Sequence, residues 1–221
     1  MTIQAIIDRA ESIKFDRRKV VGQAVTRNEI VRVSEAITRN PWRFSVKVSA
    51  PISYYTARPI IEQLDKLDRA TSEVITFSNN PNLSWMLAYD FDNQVNSAAI
   101  AAMTPTAVSG TNVTISGLPP VADTTLMFRQ GDFVQFGSYP HPFTVTANVF
   151  RGTGASVVLP LHRPVFMSTD VVGQPIRVGN SVQFRMIATQ MPTYTIIRGG
   201  ENGLIVFDSD FELIEFTGNI L

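Results

Sequence analysis

Turn-forming residues recur at short intervals between about residue 104 and residue 179, and this feature constrains the fold most. They include Thr104-Pro105, Ser109-Gly110, 117–120, Gly131-Asp132, Gly137 and 152–154. Turns at this spacing leave room only for short strands. The stretch 143–150 is typical, because Phe143, Val145, Ala147 and Val149 alternate with polar residues. The pattern predicts a small β-sandwich or barrel over 105–179.

The flanking parts of the chain combine strands with two helices. Apolar residues at helical spacing predict amphipathic helices over 2–14 and 57–70, the second with Thr56 as its N-cap. β-branched residues and alternation predict strands at 17–25, 28–37, 43–49, 73–77, 83–89, 182–188 and 204–216. We therefore predict a mainly β (α+β) fold. Its first domain is β-rich and is built from 1–104 and 180–221, and 105–179 is a small β-barrel domain inserted into it.

The residue types that most catalytic sites need are scarce. Cysteine is absent, which excludes disulfides, thiolate zinc sites and cysteine nucleophiles. The two histidines, His141 and His162, each lie beside a proline, and a metal site built on them lacks a third ligand within sequence reach. There is no Gly-x-Ser-x-Gly nucleophile elbow. We expect a protein that is not an enzyme, has no catalytic residues and needs no cofactor or metal, with both histidines bonded to nearby backbone.

Two short motifs resemble ligand sites but have simpler explanations. Asp208, Asp210 and Glu212 recur at every second residue, so on one strand they share a face. A flat strand spreads its ligands widely, which favours an acidic face towards solvent or a lumen over a cation site. A glycan hydrolase would need a second acid in an aromatic cleft, which nothing indicates. The run 151–156 lacks the lysine and the following helix of a phosphate-binding loop, and it predicts a hairpin turn.

Charge is distributed unevenly although the formal net charge is +0. Residues 1–70 contain 13 Lys and Arg against 8 Asp and Glu, whereas residues 71–221 contain 6 against 11. Complementary ends can set the register of a head-to-tail assembly. A nucleic-acid-binding face is the alternative, but the basic residues are interleaved with acids. Because interfaces favour Tyr, Trp and Arg, we assign a subunit interface to Trp42, Arg43, Tyr54 and Tyr55, with core packing as the alternative for the aromatic side chains.

The sequence gives no sign of a membrane segment or a leader. Its longest uncharged stretch, 93–122, is rich in Asn, Thr, Ser, Gly and Pro, and no apolar run approaches the length that spans a bilayer. The N-terminus carries Asp8 and Glu11 and resembles neither a secretory signal nor a transit peptide. We therefore expect assembly in a cytoplasm and no membrane partner.

Two stretches carry a family resemblance. The first runs through 27–33 and 41–46 to 58–69, and the second through 131–136, 143–146, 151–154 and 161–164. Together they resemble virion structural proteins of contractile-tailed bacteriophages, of the tail and baseplate class, and 210–215 resembles the final strand of tail-tube-type domains. The resemblance implies that the first domain is a tail-tube-like β-sandwich or barrel. It also implies a ring-forming, six-fold β-protein around or on the tail tube, of the hub, initiator or adaptor class. Its implied partners are itself, as a hexameric ring, and other tail or baseplate proteins, with nucleic acid only passing through a lumen.

We therefore predict a structural component of a phage tail or baseplate, assembled in the host cytoplasm and located in the virion. The alternative is a carbohydrate-binding or cell-surface-binding module that uses 105–179 as its reader. A stable oligomer, or a ring on co-expression with tube proteins, would favour the first function. Retention of the 105–179 fragment alone on glycans or on the cell envelope would favour the second.

Overall fold

The computed structural model describes residues 3–17, 21–25, 31–35, 41–48, 50–66, 71–78, 102–190, 192–198, 203–216 and 218. The helices are α1 (Ile3–Ile7) and α2 (Tyr54–Lys66). The strands are β1 (Ser12–Asp16), β2 (Val21–Val25), β3 (Val31–Glu35), β4 (Arg43–Lys47), β5 (Ile52–Ser53), β6 (Glu73–Ile75), β7 (Thr104–Ser109), β8 (Asn112–Ser116), β9 (Leu126–Phe128), β10 (Phe133–Phe136), β11 (Phe143–Thr144), β12 (Val149–Phe150), β13 (Ser156–Pro160), β14 (Ile176–Val178), β15 (Phe184–Gln190), β16 (Tyr194–Ile197), β17 (Leu204–Phe207) and β18 (Phe211–Glu215). The predicted mainly β fold with two helices is confirmed.

The largest sheet joins strands that are far apart in the sequence. Its order is β1-β4-β18-β15-β6, and every neighbouring pair is antiparallel. In β4, Phe44 and Val46 are buried while Arg43 and Lys47 are exposed, as the period of two in a half-buried strand requires. The predicted alternation at 43–49 is therefore confirmed over β4. Strand β18 follows the same rule, with every second residue buried.

An aromatic cluster occupies the first core, on the inner face of this sheet. The Phe44 ring lies 4.7 Å from Phe15, 5.7 Å from Phe77 and 5.2 Å from Phe184, measured between centroids. Tilted and edge-on pairs of this kind each contribute about 0.5–1.5 kcal/mol beyond the burial of their area. Helix α1 adds the buried side chains Ile3, Ile6 and Ile7 to the same core.

A second core lies within residues 103–178 and is surrounded by three small sheets. Their strand orders are β11-β10-β14, β12-β9 and β13-β8-β7. The buried members of this core run from Met103 to Val178, and no strand of these sheets pairs with the five-stranded sheet. The insertion of a domain at 105–179 stays a prediction. None of the sheets formed by described residues closes into a barrel, so the barrel form of the prediction is replaced by small open sheets.

The remaining sheets are small. Helix α2 packs Ala57 and Ile61 against Ile205 on the sheet β16-β17-β5, and β2 and β3 form an antiparallel pair. The strands predicted at 17–25 and 28–37 are confirmed with narrower bounds. The strand predicted at 83–89 lies outside the described residues. Neither described helix is long and apolar enough to cross a bilayer.

Both predicted helices have the wrong bounds. Helix α1 ends at Ile7 rather than at residue 14, because β1 pairs with β4 in the register Ile13↔Val46 and Phe15↔Phe44. Ile13 fits both the 3.6-residue period of a helix and the two-residue period of a strand. The pairing with β4 places it in a strand. Helix α2 begins at Tyr54, before the predicted cap at Thr56, and 67–70 lie outside the described residues.

Two predicted strands are each divided in two. The stretch 143–150 contains only β11 and β12, and Ala147 between them is exposed rather than inward-facing. The stretch 204–216 is divided into β17 and β18, which belong to different sheets. A bend at 208–210 separates these strands. Periodicity finds the apolar residues of such segments but does not locate a corner between two sheets.

Candidate functional site between the two cores

A buried carboxylate lies where the first core meets the second. Glu215 is the final residue of β18 and is only 3% exposed, because it occupies an inward position of that alternating strand. Its neighbours come from loops of the 102–190 region and from the segment just before β4. A charge at such a position is costly unless it is paired and hydrogen-bonded. Glu215 meets both conditions.

Three groups converge on the Glu215 carboxylate. Arg163 donates from Nη1 to Oε2 at 2.6 Å and from Nη2 to Oε1 at 2.7 Å, a two-pronged ion pair. His141 Nδ1 lies 3.0 Å from Oε1, and the backbone N–H of Trp42 donates to Oε2 at 3.0 Å. Paired bonds of the arginine kind are strong and fix the geometry of both partners.

The electrostatic balance keeps Glu215 ionised. Burial alone raises the pKa of this carboxyl, but the hydrogen bonds from His141 and Arg163, the charge of Arg163 and the Trp42 N–H together outweigh burial. The pKa of Glu215 therefore lies below its ordinary value. An ionised carboxylate only accepts hydrogen bonds, so His141 Nδ1 is the donor in this contact.

The carbonyl of Pro142 extends this network. It accepts a hydrogen bond from Arg163 Nη2 at 2.8 Å and another from Trp42 Nε1 at 3.0 Å. Trp42 belongs to the first core, whereas Pro142 and Arg163 lie in loops around the second. The network therefore ties the two cores together through buried polar contacts. Loss of any one of these contacts would leave a buried polar group without its partner, which costs free energy of folding.

His162 lies beside this network but in a different chemical state. Its Nδ1 accepts a hydrogen bond from the Thr144 N–H at 3.0 Å, and its ring centroid lies 5.2 Å from that of Trp42. Burial, followed by the charges of Arg163 and Arg17, lowers its pKa to about 3. His162 is therefore neutral at physiological pH. Its buried Nε2 has no hydrogen-bond partner among the residues that the structure describes.

The two histidines differ in how they match the prediction of bonds to nearby backbone. For His162 the prediction is confirmed, since its partner is the Thr144 N–H. For His141 it is wrong, since the ring bonds to a carboxylate 74 residues away. The signal that sequence reasoning missed was Glu215 itself. It follows Phe211 and Leu213 at every second residue, which places a charge in a buried row.

A pocket of about 340 Å³ opens beside His141. This is within the lower part of the range for small-ligand sites. Its wall is mostly apolar and aromatic. The lining residues that matter for ligand binding are Tyr139, His141, Phe143, Phe166, Met167 and Asp170. Met167 is 62% exposed at the rim and has a φ of 61°, an uncommon backbone conformation for a residue with a side chain.

The described residues of the pocket include an acid–base pair but no nucleophile. The Glu215–His141 pair resembles the acid and base of a triad, but no serine, threonine or cysteine is among the described residues that line the pocket. In the part of the chain that the structure describes, no three His, Asp or Glu side chains are placed to hold a metal ion. What the described contacts show is a structural link between the two cores with a pocket beside it.

The predicted interface residues have different surroundings. Trp42 is 1% exposed and belongs to the first core, so its assignment to a subunit surface is wrong. Its aromatic ring made it resemble an interface residue, but the ring packs against Phe44 and Phe184. Arg43 is exposed, and Tyr54 and Tyr55 are 37% and 83% exposed. For these three residues the interface stays a prediction.

The predicted acidic row does not lie on one strand. Asp208 lies in the bend after β17, where its carboxylate accepts hydrogen bonds from the hydroxyls of Thr193 and Thr195. Asp210 accepts from the Ser45 hydroxyl at 2.8 Å, and Glu212 lies opposite Ser45 in the sheet register. The single strand face is therefore wrong. Whether this surface lines a lumen stays a prediction.

The glycine-rich run at 151–154 is folded around its own arginine. Arg151 donates from Nη1 to the carbonyls of Gly152 and Gly154 and from Nε to that of Pro119. The carbonyl oxygens that surround the guanidinium would repel an anion. The run connects β12 to β13. The predicted hairpin is wrong, because β12 pairs with β9 and β13 pairs with β8 in another sheet.

No protein-family model matches the sequence, and no curated protein matches it. We therefore base the functional proposal on the residues of this chain and on their resemblance to tail and baseplate proteins.

Proposed function

We propose that the protein is a self-associating structural component of a phage tail or baseplate, and that it does not act as an enzyme. The observation that carries self-association is strand β16. All four of its residues are exposed, and it forms the edge of the sheet β16-β17-β5. An exposed apolar edge strand is a template for pairing with another chain.

The apolar character of β16 is pronounced for a surface strand. Ile196 is 59% exposed, Ile197 45% and Tyr194 38%. Ile196 lies opposite Ile205 in the sheet, and Ile205 is covered by α2. Ile196 is therefore on the same face of the sheet as Ile205, outside the area that the helix covers. Burial of such side chains against a partner contributes about 25 cal/mol for each Å² removed from water.

The predicted interface tyrosines lie at one end of the same sheet. Ile197 pairs with Leu204, and Leu204 pairs with Ser53, the residue before Tyr54. The Tyr54 N–H also donates to the Gly203 carbonyl. Tyr54, Tyr55 and β16 therefore belong to one region, which supports a contact surface with the aromatic composition that interfaces favour.

The charge distribution supports an oriented, head-to-tail contact. Residues 1–70 carry an excess of basic side chains and residues 71–221 an equal excess of acidic ones. Exposed basic residues such as Arg43 and Lys47 lie on the outer face of β4. Complementary potentials of this kind determine which faces of two subunits meet.

The phage assignment depends on the sequence resemblance. It implies a ring, six-fold in symmetry, on or around the tail tube, and contacts with neighbouring tail or baseplate proteins in the virion. The carbohydrate-binding alternative has less support. Within 102–190, which the structure describes throughout, Phe150 is the aromatic residue whose side chain is mainly exposed. A glycan-binding face normally presents more than one such ring.

The test is the mass of the purified protein by light scattering over a range of concentrations, alone and with tail-tube proteins. We expect a defined multiple of 24.4 kDa, visible as rings in negative-stain microscopy. Ile196→Lys should lower this mass without loss of folding. Val158→Lys is the matched control, since Val158 is 52% exposed on β13, an edge strand of another sheet.

A monomer at every concentration that joins no tail assembly would contradict the proposal. Retention of the protein on envelope glycans would then favour the binding-module alternative. If both lysine variants lowered the mass equally, association would be non-specific and β16 would not be its surface.

A further inference from the structure

The pocket beside His141 combines aromatic walls with a particular arrangement of charge. Tyr139 stacks on Phe143 with ring centroids 5.9 Å apart, and its ring meets that of His141 edge-on at 5.3 Å. Phe166 and Met167 complete the apolar wall. Aromatic faces carry negative potential and attract cations that lie over them.

The positive charge of the pocket is already neutralised. Arg163 is 3% exposed, and its guanidinium is bound to both oxygens of Glu215 and to the Pro142 carbonyl. Arg163 therefore has little attraction left for an anion. An anionic ligand would in addition meet Asp170 at the rim.

The negative charge at the rim has no cationic partner among the residues that the structure describes. Asp170 is exposed and lines the pocket, and its one described side-chain partner is the hydroxyl of Thr169 at 3.4 Å. Among the described groups of the pocket, what is left for a ligand is therefore the Asp170 carboxylate and the aromatic faces.

We propose that this pocket binds an organic cation, an ammonium or guanidinium group carried on an aliphatic stem. The stem lies against Tyr139, Phe166 and Met167. The cationic N–H groups donate to the Asp170 carboxylate. Two sources could supply such a group: a basic side chain of a second copy of this chain, or a free small organic cation. The site does not depend on the proposed tail function.

The first experiment measures binding to the full chain by NMR, with n-butylguanidinium as the probe. Neutral n-butylurea is the matched control ligand, since it has almost the same shape and no charge. We expect the signals of Tyr139 and of the Met167 methyl group to shift with butylguanidinium and not with butylurea. Equal binding of both compounds would overturn the proposal, because the pocket would then select only apolar shape. The absence of any shift at millimolar probe would also overturn it.

The second experiment tests the residue that supplies the charge. Asp170→Asn should weaken butylguanidinium binding about 2- to 5-fold, the range expected for one exposed ion pair. Phe166→Leu should weaken it by a similar factor, because the aromatic face is lost. Asp123→Asn, at an exposed loop carboxylate outside the pocket, is the matched control and should leave the affinity unchanged. An Asp170→Asn variant with the affinity of the parent would overturn the assigned geometry.

The two sources of the cation are separated by the mass of the protein. If a basic side chain of a second copy occupies the pocket, excess butylguanidinium should lower the mass measured by light scattering, and Asp170→Asn should lower it without any probe. If the mass is unchanged while the NMR shifts occur, the pocket takes a free small cation. Failure of the tail proposal would leave these NMR results unaffected.

Discussion

Arg163 and Glu215 form a bidentate ion pair that joins two cores from positions 52 residues apart in the sequence. Arg163 lies in a loop of the 102–190 region, and Glu215 ends the β18 strand of the five-stranded sheet. Both side chains are almost fully buried. The relative position of the two cores is thus linked to a charge pair that neither core can satisfy alone.

Removal of one partner of this pair should be costly. Arg163→Met leaves the Glu215 carboxylate buried without its cation, and we expect the free energy of unfolding to fall by about 3–5 kcal/mol. Urea denaturation followed by circular dichroism measures the change. Arg198→Met, at an exposed arginine, is the control and should change stability by no more than about 0.5 kcal/mol.

The double variant Arg163→Met/Glu215→Leu separates the pair from its surroundings. We expect it to be less destabilised than the sum of the two single variants, because neither charge is left buried alone. Simple additivity would mean that the two side chains contribute independently, contrary to the geometry.

Acid should destabilise the protein first through His162. The pKa of this ring is about 3 in the folded protein, against the ordinary histidine value of 6.5 that applies to an unfolded chain. Below pH 6.5 His162 therefore becomes protonated in the unfolded state but stays neutral in the folded state. The free energy of unfolding falls as the pH decreases towards 3. The slope is at most about 1.4 kcal/mol per pH unit for one group.

The measurement is the urea midpoint between pH 7 and pH 5, in the parent and in His162→Gln. The variant should lack the His162 component of the slope. Glu215 affects stability at lower pH than His162 does, because its pKa in the folded protein lies below the ordinary value of 4.5. Its stabilisation is present above that value and is lost as the pH falls further. A parent protein whose stability is flat between pH 6.5 and pH 5 would contradict the burial of a neutral His162.

Trp42 should affect stability and not association. Trp42→Phe keeps an aromatic ring but loses the Nε1 hydrogen bond to Pro142, at a cost of about 1–2 kcal/mol. The Pro142 carbonyl keeps Arg163 as a donor, which limits the loss. Tyr55→Ala is the contrasting variant, because its side chain is 83% exposed. We expect it to leave stability within about 0.5 kcal/mol and to lower the mass measured by light scattering. The reverse pattern would restore Trp42 as an interface residue.

Two glycines with positive φ should tolerate alanine unequally. Gly110 has a φ of 60° and open space where a Cβ would stand, whereas a Cβ on Gly117, with a φ of 71°, would meet the backbone carbonyl of Ala102. Gly110→Ala should cost about 1–2 kcal/mol for its left-handed backbone alone. Gly117→Ala should cost about 1–3 kcal/mol more, because backbone must move. Thermal unfolding of both variants gives the difference, and equal losses would show that the Ala102 contact relaxes freely.

Local pattern predicted the parts of this fold that depend on neighbours in sequence. The alternation in β4 places Phe44 and Val46 inside, and the helical stripe of α2 places Ile61 against the sheet. The pattern failed where a distant strand decided the structure. The helix predicted over 2–14 ends at Ile7 because β1 pairs with β4, a contact that no local period contains.

The candidate site could not be assembled from the sequence, because its members are far apart in the chain. His141 is 74 residues from Glu215, and Trp42 is 173 residues from it. A carboxylate in the inward row of β18 was the available signal, since a buried charge requires a partner. Which arginine or histidine would supply that partner depends on how the 102–190 region sits on the sheet, and spacing alone does not determine this.

The position of β18 between β4 and β15 has a consequence during synthesis. At roughly 5–20 residues per second, β18 leaves the ribosome roughly ten to thirty seconds after β4. Throughout that interval one edge of β4 lacks its native neighbour and is open to wrong partners. All residues of the core within 103–178 are synthesised before β18, so this core can fold before the five-stranded sheet is complete. Nascent chains therefore have a period of vulnerability in which chaperones that shield strand edges should raise the yield of native protein.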